Sequence, residues 1–290
     1  MANAKTSTDP DGAPRPINPL GLSGAPEIRS VTLEAPWTWL AAGWRDLWQH
    51  PALSLGYGLG FALISVGLIL GLVSLDLASL SLALAAGFML VGPMLAVGMY
   101  ELSRRIQSGA PVTLTSILFV RTKSPVQLAF LGVVMMIVLL AWVRLATLIF
   151  ALVWGTLEFP PLADFVHDLL FTPTGLTLLV VGSAVGAVLA FLVFAISAVS
   201  VPMLMERDLD AMTAAFTSMT AVSRNLWPML LWAWLIALVM ALGIATLFVG
   251  MILTFPLIGH ATWHAYRDLI AQDAGAGDSG PGGLEGQLKG

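Results

Sequence analysis

The histidines are the residues of this sequence that could support the widest range of chemistry. His260 and His264 are four residues apart, a spacing that puts two imidazoles on one face of a helix. His50 comes shortly before another apolar segment. Imidazole nitrogens bind zinc, copper and haem iron, so these side chains form a candidate metal or haem site if the first and last membrane helices are neighbours. Hydrogen bonding at the membrane interface is the alternative role.

A second candidate cluster contains two carboxylates and an imidazole. Asp164, His167 and Asp168 fall on one face of a short helix expected over residues 161–170. Carboxylate oxygens and imidazole nitrogens can together bind a divalent cation. The same spacing is typical of the solvated face of a helix at a membrane surface. Weak cation binding on the outer side and simple solvation are therefore both open.

Arg144 is the one charged residue inside an otherwise apolar segment. An arginine at the centre of a membrane helix costs about 2.5–3.5 kcal/mol on insertion scales, and such charges often serve a function. Arg144 is therefore a candidate functional charge that faces the inside of the protein. The alternative is that its long side chain reaches the outer membrane surface and has a structural role.

Four tryptophans are expected at the membrane surface. Trp37, Trp44 and Trp48 recur on one face of a predicted amphipathic helix, residues 36–49, and Trp263 lies near the end of the last apolar segment. The headgroup region accommodates both the apolar ring and the indole N–H. We expect these tryptophans to be interfacial anchors, and a docking surface for a partner or lipid is the second interpretation.

Membrane helices must position these residues, because the composition excludes an ordinary soluble domain. Hydrophobic residues make up 58% of the 290-residue chain and charged residues 10%, compared with roughly 25% charged in soluble domains. The formal net charge of -4 provides no basic field for nucleic acid, and the absence of cysteine excludes disulfides and thiolate sites. No nucleotide-binding or hydrolase motif occurs, so nothing predicts an enzyme or a particular cofactor.

Apolar segments long enough to cross a ~30 Å hydrocarbon core predict an all-α membrane protein. We expect six transmembrane helices, at about residues 53–73, 79–100, 126–154, 175–203, 227–243 and 246–266. Asp76 marks the first turn and Gly243 the last. The alternative is five spans, with one long final helix kinked at Pro256. Around this membrane domain, residues 31–270, the polar and glycine-rich ends at 1–30 and 271–290 are expected to be disordered tails.

The six helices are expected to form three hairpins, each preceded by a cytoplasmic interfacial helix. Three semi-polar stretches, at residues 44–51, 119–125 and 222–228, each lead into an apolar segment through a proline. The second and last spans also share glycine, leucine, proline, an aromatic residue and arginine at the same offsets, which supports a separate sixth span. Small-residue faces, at Gly56 and Gly60 and at Gly182, Gly186 and Ala190, are expected to bring helices close together.

The distribution of charge predicts the orientation. In the six-span scheme every lysine and arginine except Arg144 lies on one side of the membrane, and the opposite loops carry Asp76, Glu158, Asp164 and Asp168. Cytoplasmic loops of membrane proteins are enriched in basic residues. We therefore expect both termini in the cytoplasm.

Four segments resemble a family of bacterial integral membrane proteins: residues 39–47 (WLAAGWRDL), 92–105 (GPMLAVGMYELSRR), 200–211 (SVPMLMERDLDA) and 255–269 (FPLIGHATWHAYRDL). The family is catalogued as domain of unknown function 2189, and the resemblance extends over about residues 28–270. It implies a multi-pass protein of the bacterial inner membrane. Some members carry the label putative cytochrome c oxidase subunit, which implies a link to a respiratory complex. The oxidase catalytic subunit needs more haem and copper ligands than the four histidines of this chain.

The expected function is an accessory, assembly or scaffold component of the membrane, in contact with the lipid bilayer and with other membrane proteins. This expectation depends on the lack of a convergent polar group within the spans. Two alternatives remain. Broken helices at Pro93, Pro202 and Pro256 are typical of a small-molecule transporter, and His260 and His264 would serve a haem- or metal-binding respiratory subunit.

Overall fold

A computed structural model describes residues 26–75, 80–155 and 162–271. Within these ranges the chain forms twelve α-helices and no strand. They are α1 Ala35–Gln49, α2 Pro51–Ser74, α3 Leu80–Leu95, α4 Val97–Ser108, α5 Leu114–Leu118, α6 Pro125–Trp154, α7 Leu162–Phe171, α8 Pro173–Ser197, α9 Ser200–Glu206, α10 Ala211–Arg224, α11 Leu226–Ala245 and α12 Met251–Leu269. The all-α membrane fold is confirmed. The turn at Asp76, the loop residue Glu158 and most of both expected tails lie outside the described residues.

Five helical stretches in the described ranges are long and apolar enough to cross a membrane: Pro51–Ser74, Ala83–Ser108, Pro125–Trp154, Pro173–Glu206 and Leu226–Ala245. They correspond to the first five predicted spans. By length and composition this count is consistent with the five-span alternative. α12 has the length of a sixth span but carries histidines and charges in its second half, so the six-span arrangement stays a prediction.

Two of the five stretches are broken near a proline. α3 gives way to α4 at Ala96, three residues after Pro93, which itself lies inside α3. α8 gives way to α9 at residues 198–199, just before Pro202. Pro202 then lies in the first turn of α9, where a missing N–H removes no helical hydrogen bond. α12 runs through Pro256 without a break.

The last apolar block folds into two antiparallel helices. Leu247 and Phe248, with φ angles of 54° and 68°, turn the chain between α11 and α12. Asn225, just before α11, donates from Nδ2 to the carbonyl of Arg29 at 3.0 Å, and the carbonyl of Leu269, at the end of α12, accepts from the Arg29 N–H at 2.8 Å. α12 therefore returns to the end where α11 begins, and the reversal predicted at Gly243 occurs a few residues later.

The two ends of the described chain meet beside these residues. Ile28 and Ile270 form an antiparallel bridge, and the N–H of Ala271 donates to the carbonyl of Glu27 at 2.9 Å. Residues 26–30 therefore make specific contacts, although they were expected in the disordered tail. We call the end of the bundle that holds residues 26–31, 225 and 268–271 the terminal end.

α12 is packed against α1, α2, α4 and α11. Glycines permit the closest approaches. A Cβ at Gly43 of α1 would lie 2.6 Å from the backbone nitrogen of Ala261, and one at Gly58 of α2 would overlap the carbonyl oxygen of Ile252. The expected small-residue face of α2, at Gly56 and Gly60, makes no close contact within the chain, since a Cβ at either position meets nothing within 4 Å; contact between two copies of the protein there stays a prediction.

Two of the three expected interfacial helices are present as helices. α1 precedes α2 and α10 precedes α11, the latter capped by the Asp210 carboxylate, which accepts the Thr213 N–H at 2.8 Å. The middle one differs: α5, at Leu114–Leu118, is only five residues long, and residues 119–124 are not helical. The threefold unit predicted from the prolines is therefore incomplete in its middle member.

Candidate functional site

Polar side chains converge where α1, α2, α4 and α12 meet, a grouping that the sequence analysis did not predict. Asp46 of α1 is 5% exposed, and Ser54 of α2 is fully buried. Ser103 of α4 and His260 of α12 are also fully buried. We call the hydrogen-bonded set the Asp46 network, and it comprises Asp46, Ser54, Ser103, Gln107, His260, Trp263 and His264.

His260 lies between two serine hydroxyls. Ser103 Oγ donates to Asp46 Oδ2 at 2.6 Å. Because a hydroxyl has one proton, Ser103 Oγ must accept from His260 Nδ1–H, which lies 2.8 Å away. His260 Nε2 is then an acceptor, and it receives the Ser54 hydroxyl at 3.0 Å. The network thus sets a neutral imidazole with its proton on Nδ1.

His264, one turn further along α12, contacts the same carboxylate. Its Nε2 lies 2.8 Å from Asp46 Oδ2 and donates to it. Its Nδ1 accepts from the Gln107 amide at 3.3 Å, and Gln107 Oε1 accepts the indole N–H of Trp263 at 2.9 Å. Each donor in the network therefore has an acceptor, and the hydrogen bonds end on one carboxylate.

The partners of Asp46 keep it ionised. Burial by itself raises the pKa of the Asp46 carboxyl. Hydrogen bonds donated to the carboxylate by His264 and Ser103 outweigh burial, so the pKa of Asp46 lies below its usual value. The carboxylate is therefore an acceptor at neutral pH, as the directions of the hydrogen bonds require.

The order Ser54, His260, Ser103, Asp46 contains a hydroxyl, a base and an orienting acid, as in nucleophilic catalysis. Ser54 and His260 are each 0% exposed, so a substrate could reach them only if the helices separated. A buried polar group that loses its partner costs about 1–3 kcal/mol. The chemistry that this geometry supports is therefore the joining of four helices.

Two further carboxylates pair with basic side chains in the same region. Glu101, 0% exposed, accepts from Arg104 Nε at 2.7 Å and from Arg105 Nε at 2.6 Å. Glu206 accepts from the Tyr266 hydroxyl at 2.9 Å and from Arg267 Nη1 at 3.1 Å. The basic residues of α4 and α12 are thus held in ion pairs near the terminal end.

The structure brings His260 and His264 together, as their spacing predicted, but both ring nitrogens of each are engaged by other side chains. His50 lies at the junction of α1 and α2. Among the described residues no group of three or more histidine, aspartate or glutamate side chains is arranged to hold a metal ion. A metal or haem role for the three histidines remains a prediction that this geometry does not favour.

Asp164, His167 and Asp168 lie on α7, as predicted. The His167 and Asp168 side chains are 71% and 42% exposed and are 3.4 Å apart. The opposite face of α7 is packed through Phe165, which contacts Phe150 and Trp154. This arrangement is that of a solvated helix face, and cation binding there is untested.

Arg144 is exposed on the surface of α6. Its neighbours Trp142 and Ala146 line a cavity between helices, whereas Arg144 points away from it. The exposed position agrees with the alternative, a side chain that reaches the membrane surface, because α6 turns its packed face towards α3 and α8; a functional role for Arg144 stays a prediction.

Three of the four tryptophans expected at the membrane surface are exposed: Trp37 at 55%, Trp44 at 44% and Trp48 at 50%. Trp263 is 0% exposed, so its assignment as an interfacial anchor is wrong. Its indole N–H is satisfied by Gln107 within the protein rather than by lipid headgroups.

Two apolar cavities lie side by side in the other half of the bundle. One, of about 580 Å³, is bordered by α3, α6, α7 and α8, and the other, of about 430 Å³, by α3, α4, α8, α11 and α12. Both volumes fall within the ~300–1,000 Å³ that is usual for small-molecule sites. Their linings contain no charged residue and no histidine.

Sequence reasoning missed Asp46, Ser54, Ser103 and Gln107. The partners of these residues lie far away in the chain; Asp46 and His264, for example, are 218 residues apart. One signal was available: Asp46 follows Gly43 by three residues, so the carboxylate shares a helix face with the glycine at which α1 and α12 approach most closely.

Comparison with known proteins bears on the middle of the chain. No curated protein and no solved structure matches it. Residues 81–206 match a family model described as predicted integral membrane protein, DUF2189. The resembling segments at 39–47 and 255–269, which hold Asp46 and the two histidines, lie outside that match. From α3 to α9, therefore, the chain is similar to the DUF2189 family of predicted integral membrane proteins.

Proposed function

We propose that this protein is an accessory or scaffold component of the bacterial inner membrane and not an enzyme. The observation that carries the proposal is the closure of the Asp46 network. Its fully buried serines and His260 hydrogen-bond to one another between helices. Catalytic groups must contact a substrate, whereas hydrogen-bonding groups that only join helices can be fully buried between them.

The proposal includes six crossings with both termini in the cytoplasm. Ile28 and Ile270 are paired, so the chain enters and leaves the bundle at the same end. Two ends on one side of a membrane require an even number of crossings between them. α12, antiparallel to α11, supplies the sixth. Arg104, Arg105 and Arg267 lie towards the terminal end, which supports a cytoplasmic assignment under the positive-inside rule.

Cysteine labelling tests the topology, because the native chain contains no cysteine. Val249→Cys lies at the turn between α11 and α12, where Val249 is 66% exposed, and Phe119→Cys lies before α6, where Phe119 is 76% exposed. A membrane-impermeant thiol reagent should label Val249→Cys on intact cells and Phe119→Cys only after permeabilisation. Labelling of both from the same side would contradict six crossings.

Photo-crosslinking tests the accessory role. A photoreactive amino acid would replace, one at a time, three side chains that are exposed on different helices: Leu63, Ile137 and Trp234. At least one position should yield an adduct of constant size with a second membrane protein, which co-purifies in mild detergent. The buried Met135 is the matched control for Ile137 on α6 and should give adducts within the chain only. If every exposed position yields lipid adducts alone and the protein purifies without a partner, the accessory role is refuted.

The transporter alternative receives little support from the described cavities. A polar solute needs polar groups along its path, whereas both cavities have apolar linings and Arg144 lies outside them.

A further inference from the structure

The two apolar cavities share a wall and run along one helix. Met89 and Leu90 of α3, Ala187 and Ala190 of α8 and Ala237 of α11 border both of them. The first cavity begins near α7 and the second ends near Ser197. From Gly182 to Ser197 the helix rises about 22 Å at 1.5 Å per residue. We call the combined space the α8 crevice.

Small side chains keep the α8 crevice open. The spacing of Gly182, Gly186 and Ala190 predicted a close helix contact, but a Cβ at Gly182 would meet nothing within 4 Å, and one at Gly186 would meet only the Trp142 ring. α8 packs on α3, α6, α7 and α10, and a gap separates it from α11. The small-residue face therefore borders a space at Gly182 and packs on α6 at Gly186.

One end of the crevice carries hydroxyl groups. Ser197 and Tyr100 both line the second cavity. Ser197 is 1% exposed, and its Oγ has no hydrogen-bond partner among the described residues. An unpaired buried hydroxyl costs free energy unless a ligand supplies the partner. By contrast, Thr262, which also lines this cavity, donates to the Ile258 carbonyl of its own helix.

The lining restricts the ligand. With no charged side chain present, a carboxylate or phosphate would be buried without a counter-charge, at high cost. A hydroxyl or carbonyl group could pair with Ser197. Apart from Thr147, Ser183 and Thr262 the remainder of the lining is apolar and suits a hydrocarbon chain, and its length of about 22 Å exceeds the ~15 Å of one leaflet of a ~30 Å hydrocarbon core.

We infer that the α8 crevice binds a neutral, single-chain lipid whose hydroxyl or carbonyl group lies against Ser197 and Tyr100. This site is independent of the Asp46 network, which lies on the opposite side of α12 and shares no residue with it. The inference therefore does not depend on the accessory role.

Photolabelling of the full chain tests the site. The probe is a long-chain alcohol that carries a photoreactive diazirine, added to the purified protein in phosphatidylcholine vesicles. We expect adducts on α8 and α4, and competition by the unlabelled alcohol but not by the alkane of equal length. Equal competition by the alkane would overturn the role of the hydroxyl group. Adducts spread over the exposed faces of α2 and α6 would overturn the site, because they indicate ordinary lipid contact.

Matched variants on α8 make the test specific. Ala190→Leu extends into both cavities and should lower labelling at least tenfold, whereas Ala184→Leu, at an exposed position outside the lining, should leave it unchanged. Ser197→Ala should weaken competition by the alcohol roughly threefold to tenfold, the value of one hydrogen bond, while Thr177→Ala, at an exposed position of α8 outside both linings, should not. Thermal unfolding of each variant shows whether it is folded. If Ala190→Leu is folded and labels like the native chain, the proposal is wrong.

Discussion

α2 meets α12 at Gly58, and a single added methyl group there should force the two helices apart. In Gly58→Ala the new Cβ would overlap the Ile252 carbonyl oxygen and lie 2.8 Å and 2.9 Å from the carbonyl carbon and Cα of Ile252. These are backbone atoms, so no side-chain rotation can relieve the contact. Overpacking of this kind costs about 1–3 kcal/mol.

Gly60→Ala is the matched control on the same helix. Nothing lies within 4 Å of a Cβ at Gly60. Both variants gain the helix propensity of alanine over glycine, about 1 kcal/mol, so this gain cancels when the two are compared. The difference in the free energy of unfolding between Gly58→Ala and Gly60→Ala is therefore the steric cost alone.

Thermal unfolding in detergent, followed by tryptophan fluorescence and by loss of the monodisperse chromatography peak, measures this difference. One kcal/mol shifts the midpoint by about 2–4 °C in chains of 150–250 residues. Gly58→Ala should thus unfold on the order of 5 °C below Gly60→Ala. If Gly58→Ala unfolds at the same temperature as Gly60→Ala or above it, α2 and α12 do not pack as described.

Three more variants follow from the same structure, each measured by thermal unfolding. The pKa of Asp46 is lowered in the folded state, so the ionised carboxylate stabilises the fold above the unfolded pKa of about 4, and this stabilisation is lost as the pH falls below that value. Asp46→Asn should be less stable than the native chain at pH 7, and its stability should not show this acid-dependent loss. If the dependence of stability on acid pH is the same in both proteins, Asp46 is not the ionised acceptor of the network. Trp263→Phe shortens a fully buried side chain and removes its hydrogen bond to Gln107, and should cost about 1–3 kcal/mol, whereas Trp234→Phe, at a 59% exposed position, should cost less than about 0.5 kcal/mol. Arg144→Gln should change the stability by no more than about 0.5 kcal/mol, and a larger loss would point to a buried role.

The helices were predictable because each apolar block has the length of a membrane crossing. The reversal after Gly243 was predictable as well, since a helix of that length would have extended far beyond the bilayer. The breaks at Ala96 and at residues 198–199 lie near two of the prolines at which broken helices were expected, whereas α12 continues through the third, Pro256. Where these spans end was harder to predict: α4 continues to Ser108 because Glu101 and Ser103 are paired inside the protein.

The Asp46 network was not predictable from periodicity. Polar residues just beyond an apolar segment are usually taken to face water, and that expectation holds for Arg45 but fails for Asp46. The difference depends on which face of α1 meets α12, and this in turn depends on residues more than 200 positions away. The spacing of His260 and His264 identified the correct face of α12. Both ring nitrogens of each histidine are engaged by Asp46, Ser54, Ser103 and Gln107, so the pair serves as hydrogen-bonding groups and not as free metal ligands.

The α8 crevice was missed for a related reason. A row of glycine and alanine residues predicts that a neighbouring helix can come close, but it does not say whether one does. At Gly58 a helix fills the space, and at Gly182 it stays open. Only the three-dimensional course of α11 distinguishes the two cases.

The pairing of Ile28 with Ile270, and of α1 with α12, has a consequence for biosynthesis. α1 leaves the ribosome before any other described helix, yet its partner is the described helix that is made last. Until then Asp46 has neither of its histidines, and α2 lacks the surface that Gly58 fits. A nascent chain halted after α11 would therefore lack the sixth proposed crossing, and cellular quality control would meet an Asp46 carboxylate without the His264 donor that it has in the mature protein.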